Sequence, residues 1–310
     1  MPARSGLKLG VALPQGFEDG KLDLRLIADF AREAEAGGFD DLWTIEQITG
    51  HFPVLEPVSL LAYLAAITKR VRLGTAVIVT NLRNPVQLAK SLASIDHLSE
   101  GRLTVGIGLG VSTRMYPAFG IEEEHRVGRF LEGVRVMKAL WTEPSATLEG
   151  RYWRLAGVGM EPKPVQKPHP PLWFGAHTEA AQRRAARHGD GWMGAGSTNI
   201  DDFFVELRRM REILREEGRD AASFPLSKRV YISVDEDEAR ARERMQKWLD
   251  GFYGRPEARA EAWGVFGSAG RCLETLHRMR DAGLTHLMLH PAPTDLPHLE
   301  TIATQIAPAL

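Results

Sequence analysis

Few ionisable side chains follow the predicted strands of this chain, although strand ends are where an enzyme built on parallel strands places its chemistry. Only Glu46, His177, Asp235 and His290 stand at such positions and can carry or exchange a proton. The ten histidines form no His-x-His pair and no His-Glu-x-x-His motif, so they predict no metal site. Neither a Gly-x-Ser-x-Gly elbow nor a Ser-His-Asp arrangement is apparent. This set of residues favours redox chemistry that a bound cofactor performs while the protein positions it.

A glycine run, Gly106-Ile-Gly-Leu-Gly110, ends one of the strands. It is similar in spacing to a dinucleotide fingerprint, but no amphipathic helix follows it, and Ser112-Thr-Arg-Met-Tyr-Pro117 breaks the pattern. Glycines at a strand end let a planar ring or a ligand approach the backbone closely. The alternative is that they only form a tight turn.

Two further loops suit an anion. Phe174-Gly-Ala-His-Thr178 leaves a strand and enters a helix, with Thr178 as the expected N-cap, and Gly194-Ala-Gly-Ser-Thr-Asn199 does the same one unit later. The first backbone N–H groups of a helix have no partner inside the helix, and they attract negative charge. Either loop alone could be an ordinary turn, but the two together at one edge predict a phosphate cradle.

The elements that position these residues alternate between strand and helix along the chain. Strands are predicted at 7–13, 42–45, 71–79, 102–107, 172–174, 191–193, 229–234 and 285–290. Helices are predicted between them, at 22–36, 57–68, 86–98, 125–141, 178–188, 201–217, 236–250 and 269–281. Eight such units in 310 residues predict an α/β protein with one (β/α)8 TIM-barrel domain over residues 1–310. A doubly wound open sheet is the alternative.

Insertions into this pattern are expected at the C-terminal face of the strands. Segments 108–125 and 251–268 have weak periodicity and are long for barrel loops, so we expect them to cover a substrate. Their aromatic residues either line the pocket or only pack, and these are Tyr116, Phe119, Phe252, Tyr253 and Trp263. Segment 147–155 alternates around a Glu-Gly turn and predicts a hairpin.

Composition excludes several other classes of protein. The net charge is −1, so nothing favours binding to nucleic acid or to an anionic membrane. No apolar run approaches the roughly 18 residues that a membrane span needs, and the N-terminus has no apolar signal region. One cysteine, Cys272, cannot form an internal disulfide, and it is expected to be a packed thiol. We therefore expect a cytoplasmic protein.

Several segments of the chain carry a resemblance to a known family. Two of them are Ala31-Arg-Glu-Ala-Glu-Ala-Gly-Gly-Phe-Asp-Asp-Leu-Trp43 and Arg70-Val-Arg-Leu-Gly-Thr-Ala-Val77, and the others are 84–103, 130–141, 162–171, 185–192 and 267–289. With these segments the chain resembles the bacterial luciferase-like superfamily and, within it, the oxidoreductases that depend on the deazaflavin coenzyme F420. The match covers nearly the whole chain.

This resemblance implies a TIM barrel, usually dimeric, that catalyses hydride transfer or flavin-linked monooxygenation. It implies a cis peptide bond between non-proline residues in a bulge of the third strand, here Ala76–Val77, with the flavin-like ring over it. The ring would be flanked by the glycine run, including Gly108. The family's phosphate contacts fall on Gly175, Ala176 and His177, and on Gly196, Ser197 and Thr198.

The end of the second strand departs from the family pattern. Many F420-dependent relatives carry an acidic residue followed by an active-site histidine there, whereas this chain has Glu46-Gln47. A glutamine cannot exchange a proton near neutral pH, so position 47 does not supply the proton-transfer group that is usual in the family. Glu46 is the polar catalytic candidate that remains, and His51 could replace the missing histidine if its loop folds back.

Three functions follow from these observations. The leading hypothesis is an F420-dependent oxidoreductase that passes hydride to or from a small organic substrate, with Glu46, Gln47 and His51 facing that substrate. The alternative is an FMN-dependent monooxygenase that receives electrons from a separate flavin reductase. A non-catalytic flavin-binding barrel is the third reading.

Overall fold

The structure is a computed structural model, and it describes residues 6–16, 21–49, 52–110, 114–254 and 257–310. Its strands are β1 (Lys8–Ala12), β2 (Asp41–Thr44), β3 (Arg72–Thr75), β4 (Ile78–Val79), β5 (Leu103–Gly108), β6 (Ala146–Glu149), β7 (Arg154–Val158), β8 (Leu172–Gly175), β9 (Gly191–Gly194), β10 (Leu226–Val234), β11 (Gly264–Gly267) and β12 (His286–Pro291). Its α-helices are α1 (Leu24–Ala36), α2 (Pro57–Ile67), α3 (Pro85–Leu98), α4 (Arg126–Thr142), α5 (Glu179–His188), α6 (Ile200–Glu216), α7 (Glu238–Tyr253), α8 (Ala260–Trp263), α9 (Ala269–Asp281) and α10 (Leu296–Thr301).

Parallel strands close into a barrel, as the sequence predicts. The order around the barrel is β12, β1, β2, β3, β5, β8, β9 and β10, and β10 pairs again with β12. Strand β4 continues β3 after a two-residue bulge and pairs with β5. The fold is therefore a closed eight-stranded α/β barrel of the TIM type, and the hairpin β6–β7 stands apart as an antiparallel pair.

The outer helices follow from the sequence pattern. Helix α1 buries Ile27, Phe30 and Ala34 on one face, and Asp23 caps its first turn through the N–H of Leu26. Thr178 caps α5 through the N–H of Ala181, which confirms the expected N-cap. These caps fix where each helix begins, and thus where each loop after a strand ends.

One expected loop contains a strand. Residues Gly264–Gly267 pair with the second half of β10, from Tyr231 to Val234, and α8 precedes them. The weak periodicity of 251–268 therefore conceals a short strand, and the expectation that this segment covers a substrate stays a prediction. The strand has only four residues with a glycine at each end, too short to show an alternating pattern. It extends the barrel wall beside β10 above the end of β9.

The bore of the barrel is filled with side chains. The indole of Trp43 lies between Gly10 and Gly74, and a Cβ at either glycine would overlap the ring. Trp173 packs against it with ring centroids 5.4 Å apart, and Met193 and Met288 complete this cluster. The C-terminal end of the barrel therefore has a closed floor.

A row of hydrogen bonds crosses the opposite, N-terminal end. Ser227 Oγ lies 2.7 Å from His286 Nδ1, and His286 Nε2 lies 3.1 Å from Asp41 Oδ2. This Ser-His-Asp arrangement could not be predicted from the sequence, because Ser227 and Asp41 are 59 and 245 residues from His286 along the chain. Ser227 has no exposed surface, so its hydroxyl cannot reach a substrate. A cavity of about 590 Å³ beside His286 opens at this end.

Candidate active site

The C-terminal mouth of the barrel has two halves of different construction. The half at the ends of β3, β5, β8 and β9, called here the small-residue half, consists of Ala76, Val77, Gly108, Gly175, Ala176, His177, Gly196, Ser197 and Thr198. The half at the ends of β10, β12, β1 and β2, called here the aromatic half, consists of Phe52, Tyr231, Trp248, Phe252, Tyr253, Trp263 and His290.

The bulge between β3 and β4 lies in the small-residue half. The Ala76–Val77 peptide bond is cis, which confirms the implied geometry. The N–H of Ala76 donates to the carbonyl of Thr44 at 2.8 Å, and Ile78 then resumes pairing with β5. Both bulge residues are half-buried, and both contact the Trp43 cluster that forms the floor.

The glycines around the bulge make room for its own atoms. A Cβ at Gly106 would overlap the carbonyl oxygen of Thr75, and a Cβ at Gly108 would lie 2.8 Å from Cγ2 of Val77. A Cβ at Gly175 would lie 3.2 Å from Cγ1 of Val77. The glycines were expected to leave space for a ring. In the structure, Gly108 and Gly175 instead leave space for the side chain of Val77, which packs between their two strands.

Glu46 holds the bulge from below. Its carboxylate accepts a hydrogen bond from the N–H of Val79 at 2.8 Å, and it forms an ion pair of 2.7 Å with Arg83. Arg83 also pairs with Glu56. Burial raises the pKa of Glu46 above its ordinary value, although Arg83 and the N–H of Val79 oppose that shift. The side chain is only 2% exposed, and both of its contacts are with the chain that follows the bulge. In this structure Glu46 therefore supports the bulge.

The two neighbouring candidates differ in what can be said of them. Gln47 is half-buried, and its amide oxygen has no hydrogen-bond partner among the residues that the structure describes. His51 lies outside the described residues.

The two predicted anion loops are adjacent. The N–H of Ala176 in the first loop donates to the carbonyl of Met193, just before the second loop, at 3.2 Å. His177 is exposed, and its carbonyl accepts from Arg209 at 2.6 Å. In the second loop, the N–H of Thr198 donates to the carbonyl of Ala195 at 3.2 Å, which closes a turn ahead of α6. Both helices therefore begin side by side at the same edge of the mouth.

Two cations on β10 were not predicted from the sequence. Lys228 lies behind the second loop, and Arg229 lies at the boundary between the two halves, where a Cβ at Gly196 would overlap its guanidinium. The signal was a Lys-Arg pair inside an otherwise apolar strand, Leu226-Ser-Lys-Arg-Val-Tyr-Ile-Ser-Val234. Charged residues in a buried strand need partners, and they point to a site.

Arg229 connects the halves of the mouth. It donates a hydrogen bond of 2.8 Å to the hydroxyl of Tyr253, and its guanidinium lies 5.3 Å from the ring centroid of Tyr231. The hydroxyls of Tyr231 and Tyr253 lie 2.5 Å apart. Within the described part of the chain, Arg229 has no carboxylate partner, so the mouth carries a cation that an anion or a developing negative charge can use.

The aromatic half is built from stacked rings. Trp248 and Phe252 of α7 stack with centroids 5.0 Å apart, and the ring of Phe52 meets Phe252 edge-on at 5.2 Å. His290 packs against Trp248, and burial, aided by the charge of Arg229, holds its pKa well below the ordinary value. Its imidazole is therefore neutral, and its Nδ1 has no partner among the described residues.

The aromatic residues predicted as pocket walls fall into separate groups. Phe252, Tyr253 and Trp263 belong to the aromatic half, whereas Tyr116 and Phe119 pack with Leu82 and Ile121 in a different cluster. Among the described residues, no group of three or more His, Cys, Asp or Glu could hold a metal ion. Nor does the described chain contain a helix long and apolar enough to cross a membrane.

Comparison with known proteins bears directly on this geometry. The chain is 30% identical to an F420-dependent glucose-6-phosphate dehydrogenase of Kineococcus radiotolerans, over 98% of this chain and 97% of that protein. A protein of the same name from Beutenbergia cavernae is 28% identical over 89% of this chain and 90% of its own length.

Solved structures share the fold over nearly the full length. The monooxygenase RslO1 from Streptomyces bottropensis has a TM-score of 0.84 and 25% identity, over 97% of this chain and 99% of that one. An F420-dependent secondary alcohol dehydrogenase, solved with an F420-acetone adduct, has a TM-score of 0.83 over 98% of each chain, and at 20% identity it supports the fold alone. The family model described as luciferase-like monooxygenase matches residues 7–287, so the chain belongs to the luciferase-like monooxygenase family.

Proposed function

We propose that this protein is an F420-dependent oxidoreductase that transfers hydride between the deazaflavin and a small organic substrate. One observation carries the proposal: in a chain 30% identical over nearly its whole length to an F420-dependent enzyme, the bulge at Ala76–Val77 lies beside Gly175, in the first of two adjacent loops that lead into helices. A flat apolar surface beside anion-binding loops suits a ring that carries a phosphorylated side chain.

The described residues fit such a cofactor. Ala76 and Val77 keep part of their surface uncovered, while the floor beneath them is closed by packed rings. The amide oxygen of Gln47 and Nδ1 of His290 are buried polar atoms with no partner among the described residues, and such atoms normally find one. A ligand with polar edges would supply those partners.

Each half of the mouth receives a role in this proposal. Ala76 and Val77 would support the ring, with Gly108 and Gly175 seating Val77. The phosphate would be held by the loops Gly175–Ala176–His177 and Gly196–Ser197–Thr198. F420 supplies hydride transfer at C5 of its ring when bound. The aromatic half would contact the substrate, because its rings offer apolar surface close to a cation.

Proton transfer needs a group that Gln47 cannot provide. We assign it to Tyr253, which is half-buried and hydrogen-bonded to both Arg229 and Tyr231. Its hydroxyl would give a proton to the substrate oxygen as hydride reaches the adjacent carbon, and the guanidinium of Arg229 would stabilise the charge left behind. Gln47 would hydrogen-bond the substrate, and Glu46 would keep the bulge in place. His51 stays a prediction for a second acid or base.

A second candidate is an FMN-dependent monooxygenase served by a separate flavin reductase. The monooxygenase from Streptomyces bottropensis favours it, because that protein has the same fold at 25% identity over nearly its whole length. The bulge and the two loops would serve FMN equally well.

Cofactor titration separates the two candidates. The protein, freed of cofactor, is titrated with F420 and with FMN while the fluorescence of each ring is followed. We expect saturable binding of F420 and weaker binding of FMN, and then oxidation of reduced F420 by members of a panel of small carbonyl compounds. Tight FMN binding without an F420 response would replace the first candidate by the second. Binding without turnover above the rate in free solution would favour a non-catalytic barrel.

We further propose a cytoplasmic homodimer formed by a single-domain chain. The family resemblance supports the dimer. Cys272, fully buried with its pKa raised to about 12 by burial, supports a protein that uses no disulfide. Light scattering during gel filtration tests the dimer, and a mass of one chain would contradict it.

A further inference from the structure

Lys228, in strand β10 of the barrel wall, is fully buried. Its side chain leaves β10 on the face opposite to the bore and reaches the second anion loop. There its ammonium donates to the carbonyls of Ala195 and Thr198, the latter at 3.2 Å. It also lies 5.1 Å from the ring centroid of Phe203 on α6.

A buried ammonium is costly unless its hydrogen bonds are satisfied. Both carbonyls that accept hydrogen bonds from the ammonium belong to the second anion loop. The lysine therefore fixes the shape of that loop. Glu206 of α6 meets the same loop from the other side, since Thr198 Oγ1 lies 3.4 Å from Glu206 Oε1. Thr198 therefore joins the two buried charges.

Two backbone N–H groups lie between these anchored carbonyls. Gly196 and Ser197 lie inside the turn from Ala195 to Thr198, and their N–H groups have no partner among the residues that the structure describes. When the flanking carbonyls are held toward the ammonium, successive N–H groups of a turn are left to face an anion.

We propose that Lys228 is a positioning residue for the cofactor phosphate, which holds the carbonyls of Ala195 and Thr198 so that the N–H groups of Gly196 and Ser197 receive that phosphate. The proposal rests on the proposed F420 function. It adds a buried cation to a phosphate site otherwise made of backbone N–H groups. It predicts that Lys228 affects binding of the cofactor phosphate and not binding of the cofactor ring.

The electrostatics of the cluster give this role a pH dependence. Burial lowers the pKa of Lys228 to about 7, against the attraction of Glu206, and Arg229 lowers it further. Burial also raises the pKa of Glu206 to about 7, opposed by Lys228, Arg209 and Thr198, while Asp202 raises it further. An anion arriving at the loop favours the protonated lysine, so binding takes up a proton. Affinity for the phosphate is then greatest below pH 7, and it falls as pH rises through the pKa of Lys228.

The test compares two ligands that share a ring. Dissociation constants are measured by fluorescence for F420 and for its deazariboflavin precursor, which has the same ring and ribityl chain but neither the phosphate nor the lactyl-glutamate tail attached to it. Their ratio isolates the phosphate and that tail, because titration of the ring cancels. In Lys228→Met we expect F420 affinity to fall on the order of tenfold or more, while affinity for the precursor stays within about twofold.

A matched control is Lys138→Met. Lys138 of α4 is also partly buried and donates to one carbonyl, that of His188, at 2.9 Å, but away from the anion loops. In Lys138→Met, the ratio of the dissociation constants for F420 and the precursor should equal that of the wild type. Equal losses for both ligands in Lys228→Met, or no loss for either, would overturn the proposal.

The wild-type protein provides a readout that needs no variant. Between pH 6 and pH 8, the advantage of F420 over the precursor should shrink in the wild type and shrink less in Lys228→Met, where Glu206 still titrates beside the loop but the lysine does not. A constant advantage in the wild type would overturn the proposal even if the variant fails to fold. Failure of the wild type to bind either ligand would instead overturn the F420 function itself.

Discussion

The two halves of the barrel mouth use opposite means to make a surface. In the small-residue half, glycines and short side chains form the surface, and a side chain at Gly106 or Gly108 would collide with Thr75 or Val77. In the aromatic half, large rings form the surface. The first surface depends on the absence of side chains at its glycines, whereas the second depends on the presence of its rings. The comparison suggests that one half serves a fixed cofactor and the other a particular substrate.

The two halves also differ in how their charged side chains are paired. Below the bulge, the charges of Glu46, Arg83 and Glu56 are paired with one another. At the edge of the aromatic half, Arg229 meets only phenols among the described residues, and His290 is neutral. The charges beneath the bulge are thus satisfied within the protein, whereas Arg229 can respond to charge that develops in a reaction.

The largest expected effect separates chemistry from cofactor binding. Tyr253→Phe removes one hydroxyl, together with its hydrogen bonds to Arg229 and Tyr231. Because a positioned acid contributes about 100-fold or more, we expect kcat to fall by about that factor. Affinity for F420, measured by fluorescence, should not change. Normal turnover in this variant would remove Tyr253 from the reaction.

A steric collision in the small-residue half should weaken cofactor binding. Gly108→Val places a side chain where Cγ2 of Val77 already lies, so the bulge must shift. Overpacking costs about 1–3 kcal/mol, and we expect F420 affinity to fall about 50-fold. Gly270→Ala is the control, because a Cβ there meets open space, and it should leave affinity unchanged. Unchanged affinity in Gly108→Val would mean that the bulge does not support the ring.

A smaller effect is expected from the aromatic half. Phe252→Ala removes the ring that contacts both Trp248 and Phe52. Each aromatic pair contributes about 0.5–1.5 kcal/mol, so the KM for substrate should rise about tenfold while F420 affinity is kept. Phe119→Ala, in the separate cluster with Tyr116, should leave KM unchanged. A similar rise in both variants would show that the aromatic half has no special place in substrate binding.

The smallest effect concerns Glu46. Glu46→Gln keeps an oxygen for the N–H of Val79 and loses only the charge, while Arg83 retains Glu56. We expect kcat/KM within about threefold of the wild type, since a catalytic acid would cost far more. A 100-fold loss would restore Glu46 to the catalytic group.

The same substitution has a signed pH dependence. Because the pKa of Glu46 is raised in the folded protein, its contribution to stability is complete at low pH and is lost as pH rises through that pKa. The free energy of unfolding of Glu46→Gln, relative to the wild type, should therefore increase over that range in urea titrations. A relative stability independent of pH would contradict the raised pKa.

Much of the barrel could be predicted from the sequence, because its signals are local. Strand and helix patterns, the N-cap at Thr178 and the two loops each depend on a few consecutive residues. The bulge at Ala76–Val77 came from resemblance to a family. Strand β11 was missed because four residues bounded by glycines carry no periodicity, and its pairing with β10 is formed only in the closed barrel.

Roles within the site were harder to predict, because they depend on distant partners. The catalytic role predicted for Glu46 took no account of Arg83 and Val79, which lie more than thirty residues away in sequence and contact its carboxylate in the fold. Lys228 and Arg229 were hidden inside a strand, and their side chains leave it on opposite faces, toward α6 and toward the mouth. Only the folded chain shows which of two neighbouring cations serves which side.

The packed bore has a consequence for solvent. Among the described residues, the packed side chains of Trp43, Trp173, Met193 and Met288 stand between the mouth and the cavity at the N-terminal end. Under the proposed function, substrate and product would therefore exchange with solvent on the side of the mouth, where Trp248 and Phe252 of α7 lie.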